Sequence, residues 1–225
     1  YRDPAGALRH IAALTEGVSR RAAIQRQLLP VLLGWFAEGS DPDAGLLSFR
    51  RVSDELGSTH WYLKLLRDSG AAAERLARVL SSSRYVADAL ARSPESIAWL
   101  DDDADLAPRG RDRLQAEVDA LLDRTPDTEE AVTLLRALRR REMARTAMAE
   151  VLALRSAPET SEALTDIADV VLGGALRAVE REAADGEGLL TRGCVVAMGR
   201  FGGREMGYGS DADVLFVHEP LPGAD

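Results

Sequence analysis

Two aspartates one residue apart, Asp211 and Asp213, close a run in which glycine recurs at Gly199, Gly202, Gly203, Gly207 and Gly209. Residues 199–217 read GRFGGREMGYGSDADVLFV. The short valine-rich segment from Cys194 to Met198 precedes them, so the stretch predicts strand, glycine-rich loop, strand. Glycines without a Cβ let backbone amides come close to an anion. Side chains at i and i+2 of a strand point to one face. If Asp211 and Asp213 open the second strand, their carboxylates stand side by side at the mouth of the loop, where oxygen ligands hold hard divalent cations. A phosphate cradle beside a carboxylate pair is suited to nucleotidyl transfer assisted by two metal ions. Gly209-Ser210-Asp211 is also ordinary turn chemistry, and the same residues read equally as a plain hairpin connection. The glycine pattern and the carboxylate pair together, between two apolar strands, favour the catalytic reading.

Arg200 and Arg204 flank the glycine turn and are candidate phosphate ligands, since two guanidinium groups there can reach one anion. Glu205 either orients Arg204 or faces solvent. A second set of arginines, Arg136, Arg139, Arg140, Arg141 and Arg145, sits in a long helical pattern. It reads as a solvated face paired at i,i+4 spacing with acids such as Glu142, ahead of an anion-binding role. Asp101, Asp102, Asp103 and Asp105 lack the glycine and closing glutamate of a calcium loop and read as a solvated connector. His10 and His60 have no second ligand at metal spacing, and His218 is expected at the surface.

The segment GRFGGREMGYGSDADVLFV resembles the signature of glutamine synthetase adenylyltransferases, members of the DNA polymerase β-like nucleotidyltransferase superfamily. The resemblance implies a fold that is mainly α, a helical bundle followed by the first two strands of a nucleotidyltransferase α/β domain. It implies that Gly202, Gly203, Arg200, Arg204, Gly209 and Ser210 hold the nucleotide, and that Asp211 and Asp213 hold Mg2+ and are catalytic, with ATP as substrate. The reaction it implies is transfer of AMP to a tyrosine hydroxyl of glutamine synthetase, a step that regulates nitrogen assimilation. Two alternatives stay open: phosphorolytic removal of AMP by the same site, and a non-catalytic helical module that binds a PII-type signal protein. The superfamily's third carboxylate lies on a later strand and matches no residue here, so the chain is expected to be part of a longer protein and inactive by itself.

The remaining sequence must position that site. With 225 residues the chain can bury a sizeable core. A net charge of −9 disfavours nucleic acid as a partner. No run is long and apolar enough for a membrane span, and no signal peptide is visible, so a cytoplasmic setting is expected. The one cysteine, Cys194, excludes an internal disulfide and is expected to be a buried structural thiol. Residues 3–190 read as nearly all helix, rich in alanine, leucine, arginine and glutamate. Asp3, Ser19, Asp41, Ser58 or Thr59, the serines 81–83 and Thr125 to Asp127 are the start signals. Pro30 is expected to kink or divide the second helix, and Pro158 to end the long arginine-bearing one, about Thr128 to Ser156. The last helix, about Ser161 to Ala184, carries Leu164, Ile167, Val171, Ala175 and Val179 as one stripe, and residues 185–188 turn it into the first strand. Trp35, Trp61 and Trp99 read as core or subdomain-interface residues. The acidic cluster marks the expected boundary: residues 1–104 form a helical region, and residues 105–225 lead into the nucleotidyltransferase core.

Overall fold

The computed structural model describes residues 1–57, 59–184 and 188–222. Mainly α architecture with one two-stranded antiparallel sheet near the C-terminal end is what the sequence led us to expect. The chain divides into two compact units, residues 1–107 with 147–154, and residues 108–146 with 155–225.

The first unit holds α1 (Pro4–Thr15), α2 (Arg20–Glu38), α3 (Pro42–Leu56), α4 (His60–Asp68), α5 (Gly70–Ser82), α6 (Arg84–Arg92), a 3-10 helix (Pro94–Asp101) and α7 (Asp103–Leu106). Short polar caps set these lengths. Side-chain oxygens of Asp3, Ser19, Asp41, Ser69 and Ser83 each accept the backbone N–H of the third residue on, which satisfies amides the first turn leaves orphaned. Thr59 precedes α4 without capping its amides, its hydroxyl donating instead to the Leu56 carbonyl at 2.7 Å, and Ser58 lies outside the described residues. Phe36, Phe49, Tyr62, Leu46, Leu76 and Leu90 are fully buried, with the Phe36 and Phe49 rings 5.8 Å apart. The Tyr62 hydroxyl shares a 2.9 Å hydrogen bond with Ser53, and burial pushes its phenol well above the ordinary range.

Pro30 does not divide α2. It sits on the exposed side, where losing one helix hydrogen bond costs less than in a core, and the helix continues through it. The acidic cluster is also more than a connector: Asp102 caps α7, and Arg75 donates to Asp103 and to the Leu100 carbonyl. Trp35 and Trp99 are half-buried, and Trp61 is partly exposed.

The second unit is built on α8 (Arg111–Arg124), the first part of α9 (Thr128–Val151) and α10 (Ala157–Ala183). Asp127 caps α9, accepting from the Glu130 amide at 2.7 Å. Helix α9 stops at Val151, earlier than its composition suggests, because Ala153 turns left-handed (φ 58°). The Leu154 amide then reaches the Ala149 carbonyl, and the Ala153 amide the Glu150 carbonyl, both at 2.9 Å. Pro158 opens α10 instead of ending α9. Its missing N–H falls in the first turn, and Glu159 accepts from both the amide and the hydroxyl of Ser156 at 2.8 Å. Along α10 the buried line runs Leu164, Ile167, Val171, Gly174, Ala178, so Val179 is left exposed. Gly174 is required where the helices meet: a Cβ there would stand 2.6 Å from Val118 of α8. Arg181 ties the C-terminal part of α10 to the carbonyls of Leu122, Thr125 and Pro126 at 2.8–3.0 Å.

Of the turn expected at 185–188, residues 185–187 lie outside the described residues. Strand β1 (Thr191–Ala197) pairs with β2 (Val214–Pro220) in antiparallel register, Cys194 opposite Val217 and Ala197 opposite Val214. Both faces of this hairpin carry accessible apolar side chains, with Phe216 73% exposed. Cys194 is accordingly exposed, not buried as its apolar neighbours suggested.

Candidate active site

The site is built where β1 leaves the sheet and β2 enters it. The Met198 amide donates to the Asp213 carbonyl at 2.8 Å, extending the ladder by one bond beyond Ala197. Asp211 and Asp213 lie just before β2, not within it as the sequence suggested, and both side chains are exposed. Between them and β1 the loop folds into two tight turns. The first is a single helical turn, α11 (Gly199–Gly202), that begins with Gly199 in the left-handed region (φ 51°). It ends in a six-residue cap: Arg204 is left-handed (φ 58°), the Glu205 amide donates to the Arg200 carbonyl at 2.8 Å, and the Arg204 amide to the Phe201 carbonyl at 3.2 Å. Glycine is the usual occupant of that left-handed position, so arginine there carries backbone strain. The second turn spans Gly207 to Ser210. The Ser210 amide donates to the Gly207 carbonyl at 3.1 Å, and the Ser210 hydroxyl accepts from the Gly207 amide at 2.9 Å. Phe201 and Met206, both buried, anchor the loop.

Two glycines are dictated by close approach. A Cβ on Gly202 would lie 2.5 Å from the Ala197 carbonyl oxygen, so only glycine lets α11 fold back against β1. A Cβ on Gly199 would lie 2.8 Å from Oδ2 of Asp213, so the bare backbone leaves that carboxylate its place over the start of the loop. Gly209 faces open space, and among the described residues neither its amide nor that of Asp211 donates to another group. Asp211, Asp213 and Arg200 are exposed and make no ion pair among the described residues. Two unpaired carboxylates supply hard oxygen donors, and the adjacent amides and guanidinium suit phosphate, so the residues present fit a hydrated divalent cation with a nucleotide. Among the described residues there is no cluster of three or more metal-ligating side chains.

Arg204 is placed differently from Arg200. Its guanidinium donates to Asp166 at 2.7 Å and lies 3.4 Å from Glu162, both on α10. The Asp166 carboxylate, with Glu162 behind it, raises the arginine above its ordinary value. Glu205 is exposed and is not an ion-pair partner of Arg204. These α10 partners escape sequence reasoning, although a signal exists. Glu159, Glu162, Asp166 and Asp169 recur at helical spacing on α10, and arginines meet all four: Arg155, Arg204 and Arg111.

Of the α9 arginines, Arg136 and Arg140 are exposed as a solvated face requires, whereas Arg141 and Arg145 are drawn into an ion network. Glu142 is 1% exposed and holds Arg141 at 2.7 Å and Arg145 at 3.1 Å, with Arg109 at 3.9 Å. Glu117 of α8 takes Arg109 at 2.5 Å and Arg141 at 2.8 Å. Burial pulls the Arg145 guanidinium below its ordinary value, whereas for Arg141 the two carboxylates outweigh burial and raise it. The group is a five-member ion network, buried at Glu142 and Arg145 and partly exposed at its other members, that ties α8, α9 and the segment before α8 together.

A family model described as glutamate-ammonia ligase adenylyltransferase matches residues 73–224. The chain belongs to this adenylyltransferase family. Its relatives include proteins named bifunctional glutamine synthetase adenylyltransferase/adenylyl-removing enzyme. One, from Streptomyces avermitilis, is 55% identical over the whole chain and 24% of its own length. Another, from Leifsonia xyli subsp. xyli, is 53% identical over 98% of the chain and 22% of its own length. A third, from Mycolicibacterium smegmatis, is 43% identical over the whole chain and 23% of its own length. The chain thus spans about a quarter of the length of the curated adenylyltransferases it matches. Among the described residues no helix is long and apolar enough to cross a membrane.

Proposed function

We propose that the loop between β1 and β2 is the nucleotide and metal site of an adenylyltransferase that moves AMP from ATP to a tyrosine hydroxyl of glutamine synthetase. The observation that carries the reading is the placement of Asp213 over the bare backbone of Gly199, one residue from Asp211 and beside the Gly207–Ser210 turn. The names of the relatives supply the target protein.

Asp211 and Asp213 would hold Mg2+, which when bound neutralises charge on the α-phosphate and on the departing pyrophosphate. Gly202 and Gly203 shape the first turn, with their own amides spent on the Met198 and Gly199 carbonyls, and the free amides of Gly209 and Asp211 are the donors offered to the phosphates. The Ser210 hydroxyl already accepts from the Gly207 amide, so its hydrogen remains available for a phosphate oxygen. Arg200, unpaired and at the loop's edge, is the guanidinium best placed to meet the leaving group. In the transfer itself, the tyrosine oxygen bonds to the α-phosphorus, the bond from that phosphorus to the bridging oxygen breaks, and pyrophosphate leaves. The tyrosine proton passes to solvent or to a carboxylate of the pair. The same carboxylates serve AMP removal, in which inorganic phosphate attacks the tyrosine-linked AMP and ADP is released.

The test is a radiolabelled transfer assay in both directions on the full-length protein and on Asp211→Asn/Asp213→Asn. The double variant is expected to lose transfer to background and to lose Mg2+-dependent ATP binding by calorimetry. Transfer at the wild-type rate in the double variant overturns the assignment. Activity in the removal direction alone assigns this site to the reverse reaction.

A further inference from the structure

We infer that Asp166 and Glu162 of α10 are positioning residues for the nucleotide loop, acting through Arg204, which is a tether and not a phosphate ligand. This rests on the nucleotide reading of the loop given above.

Three observations lead there. First, Arg204 occupies the closing position of its turn, which calls for a left-handed backbone that a side chain beyond glycine adopts at a cost. An arginine at such a place needs a compensating contact. Second, that contact is present. Asp166, only 14% exposed, accepts from the guanidinium at 2.7 Å, and Glu162 lies four residues earlier on the same face of α10. Third, the turn that Arg204 closes fixes the path of the loop. The Gly202, Gly203 and Glu205 amides are all spent inside it, at 2.8–2.9 Å, and Met206 is buried immediately after. Holding Arg204 therefore holds the start of the segment that leads to Gly207–Ser210 and to Asp211. Arg200, in the same turn, has no such partner among the described residues and stays available to an anion. The two loop arginines look equivalent in sequence, and the structure gives them different work.

The alternative, that Arg204 binds phosphate and α10 merely parks it, makes the opposite prediction. Neutralising the acids would then release Arg204 and tighten nucleotide binding. If the acids position the loop, neutralising them loosens it and weakens binding.

The experiment uses the full-length protein with Asp166→Asn, Glu162→Gln, the pair together, Arg204→Gly, and Arg204→Gly combined with Asp166→Asn. Amide hydrogen exchange without nucleotide reads the loop directly. Exchange at Gly202, Gly203 and Glu205 is expected to rise about twofold to fivefold in the acid variants, the range a partly exposed ion pair spans. Amides of α2 to α5 serve as the folding control and are expected to stay at wild-type rates. Glycine adopts the left-handed conformation without strain, so in the Arg204→Gly background Asp166→Asn is expected to add nothing. Mg2+–ATP affinity by calorimetry is expected to fall about threefold in Asp166→Asn. Loop exchange at wild-type rates in the paired acid variant overturns the inference, as does tighter nucleotide binding in Asp166→Asn. If loop exchange responds as expected but the wild-type protein binds no Mg2+–ATP, the positioning role stands and the nucleotide reading of the site falls.

Discussion

Removing the Glu142 carboxylate tests the packing of the second unit more severely than any surface substitution. Glu142 is 1% exposed and Arg145 5%, while Arg141 and Arg109 keep about a third and a quarter of their surface in water. Glu142→Ala therefore strips a shared counter-ion from three guanidinium groups, one of which is almost dry. Breaking a buried pair by deleting one partner costs about 3–5 kcal/mol, because the remaining charge keeps its desolvation penalty. Water can re-solvate Arg141 and Arg109, and Glu117 still holds both, so the lower end applies, about 3 kcal/mol. For a chain of this size that shifts Tm by about 6–12 °C. Thermal unfolding followed by far-UV circular dichroism measures it, with Asp119→Asn as control. Asp119 and Arg177 are each nearly half exposed, and losing their pair is expected to leave Tm unchanged. Glu142→Met combined with Arg145→Met removes both charges from the dry part of the network and is expected to recover much of the loss. Equal shifts for Glu142→Ala and Asp119→Asn would refute the argument that burial gives this network its weight.

Ala153→Gly replaces a left-handed alanine with the residue that position favours, and is expected to raise stability by about 1 kcal/mol in denaturant unfolding; the same change inside a helix would lower it. Tyr62→Phe leaves the buried Ser53 hydroxyl without its partner and is expected to cost about 1–2 kcal/mol, part of which Ser53→Ala in the same chain restores. Because the folded Tyr62 phenol lies above its ordinary value of 10.0, its contribution is full below pH 10.0 and is lost as pH rises beyond it. A pH series should show an alkaline fall in wild type that Tyr62→Phe flattens. Glu159 runs the other way: the Ser156 amide and then its hydroxyl hold it below its ordinary 4.5, so its contribution is full above pH 4.5 and disappears as pH falls through the lower folded value. Glu159→Gln should remove that acid limb from the unfolding of α10. Gly202→Ala sets a Cβ 2.5 Å from a backbone oxygen and is expected to cost about 1–3 kcal/mol locally, read as faster loop exchange.

Much of the helical frame was legible because its signals are local. Asp3, Ser19, Asp41 and Ser83 cap within three residues of themselves, and α3 ends at Leu56, just before Gly57. What failed depended on surroundings that no local pattern contains. Pro30 removes one helix hydrogen bond, a loss that costs less on an exposed side than in a core, and Pro30 is exposed. Pro158 is the exception: the Ser156-x-x-Glu159 box that makes it a helix start is itself a local pattern, present in the sequence beside a proline that also signals a stop. Arg141 and Arg145 resemble solvated arginines until α8 and residue 109 bring Glu117 and a third guanidinium to them. Cys194 sits among valines, but an apolar strand is buried only when something covers its face.

The candidate site shows the same division more finely. Which residues belong to it follows from the glycines and the carboxylate spacing, since both express short-range constraints: a backbone that must pass 2.5 Å from another, and a carboxylate that must fit over a missing Cβ. How the two carboxylates stand was misjudged, because the strand begins at Val214 and the i,i+2 rule does not govern Asp211. Their backbone positions are set instead by the Met198–Asp213 bond and the Ser210 turn, which are loop contacts. A site held this way depends on whatever fixes the loop's other end. In this chain that is Phe201, Met206 and the Arg204 tether to α10, so the geometry of the carboxylates and the acidic stripe of a helix some 40 residues upstream in sequence are parts of one arrangement.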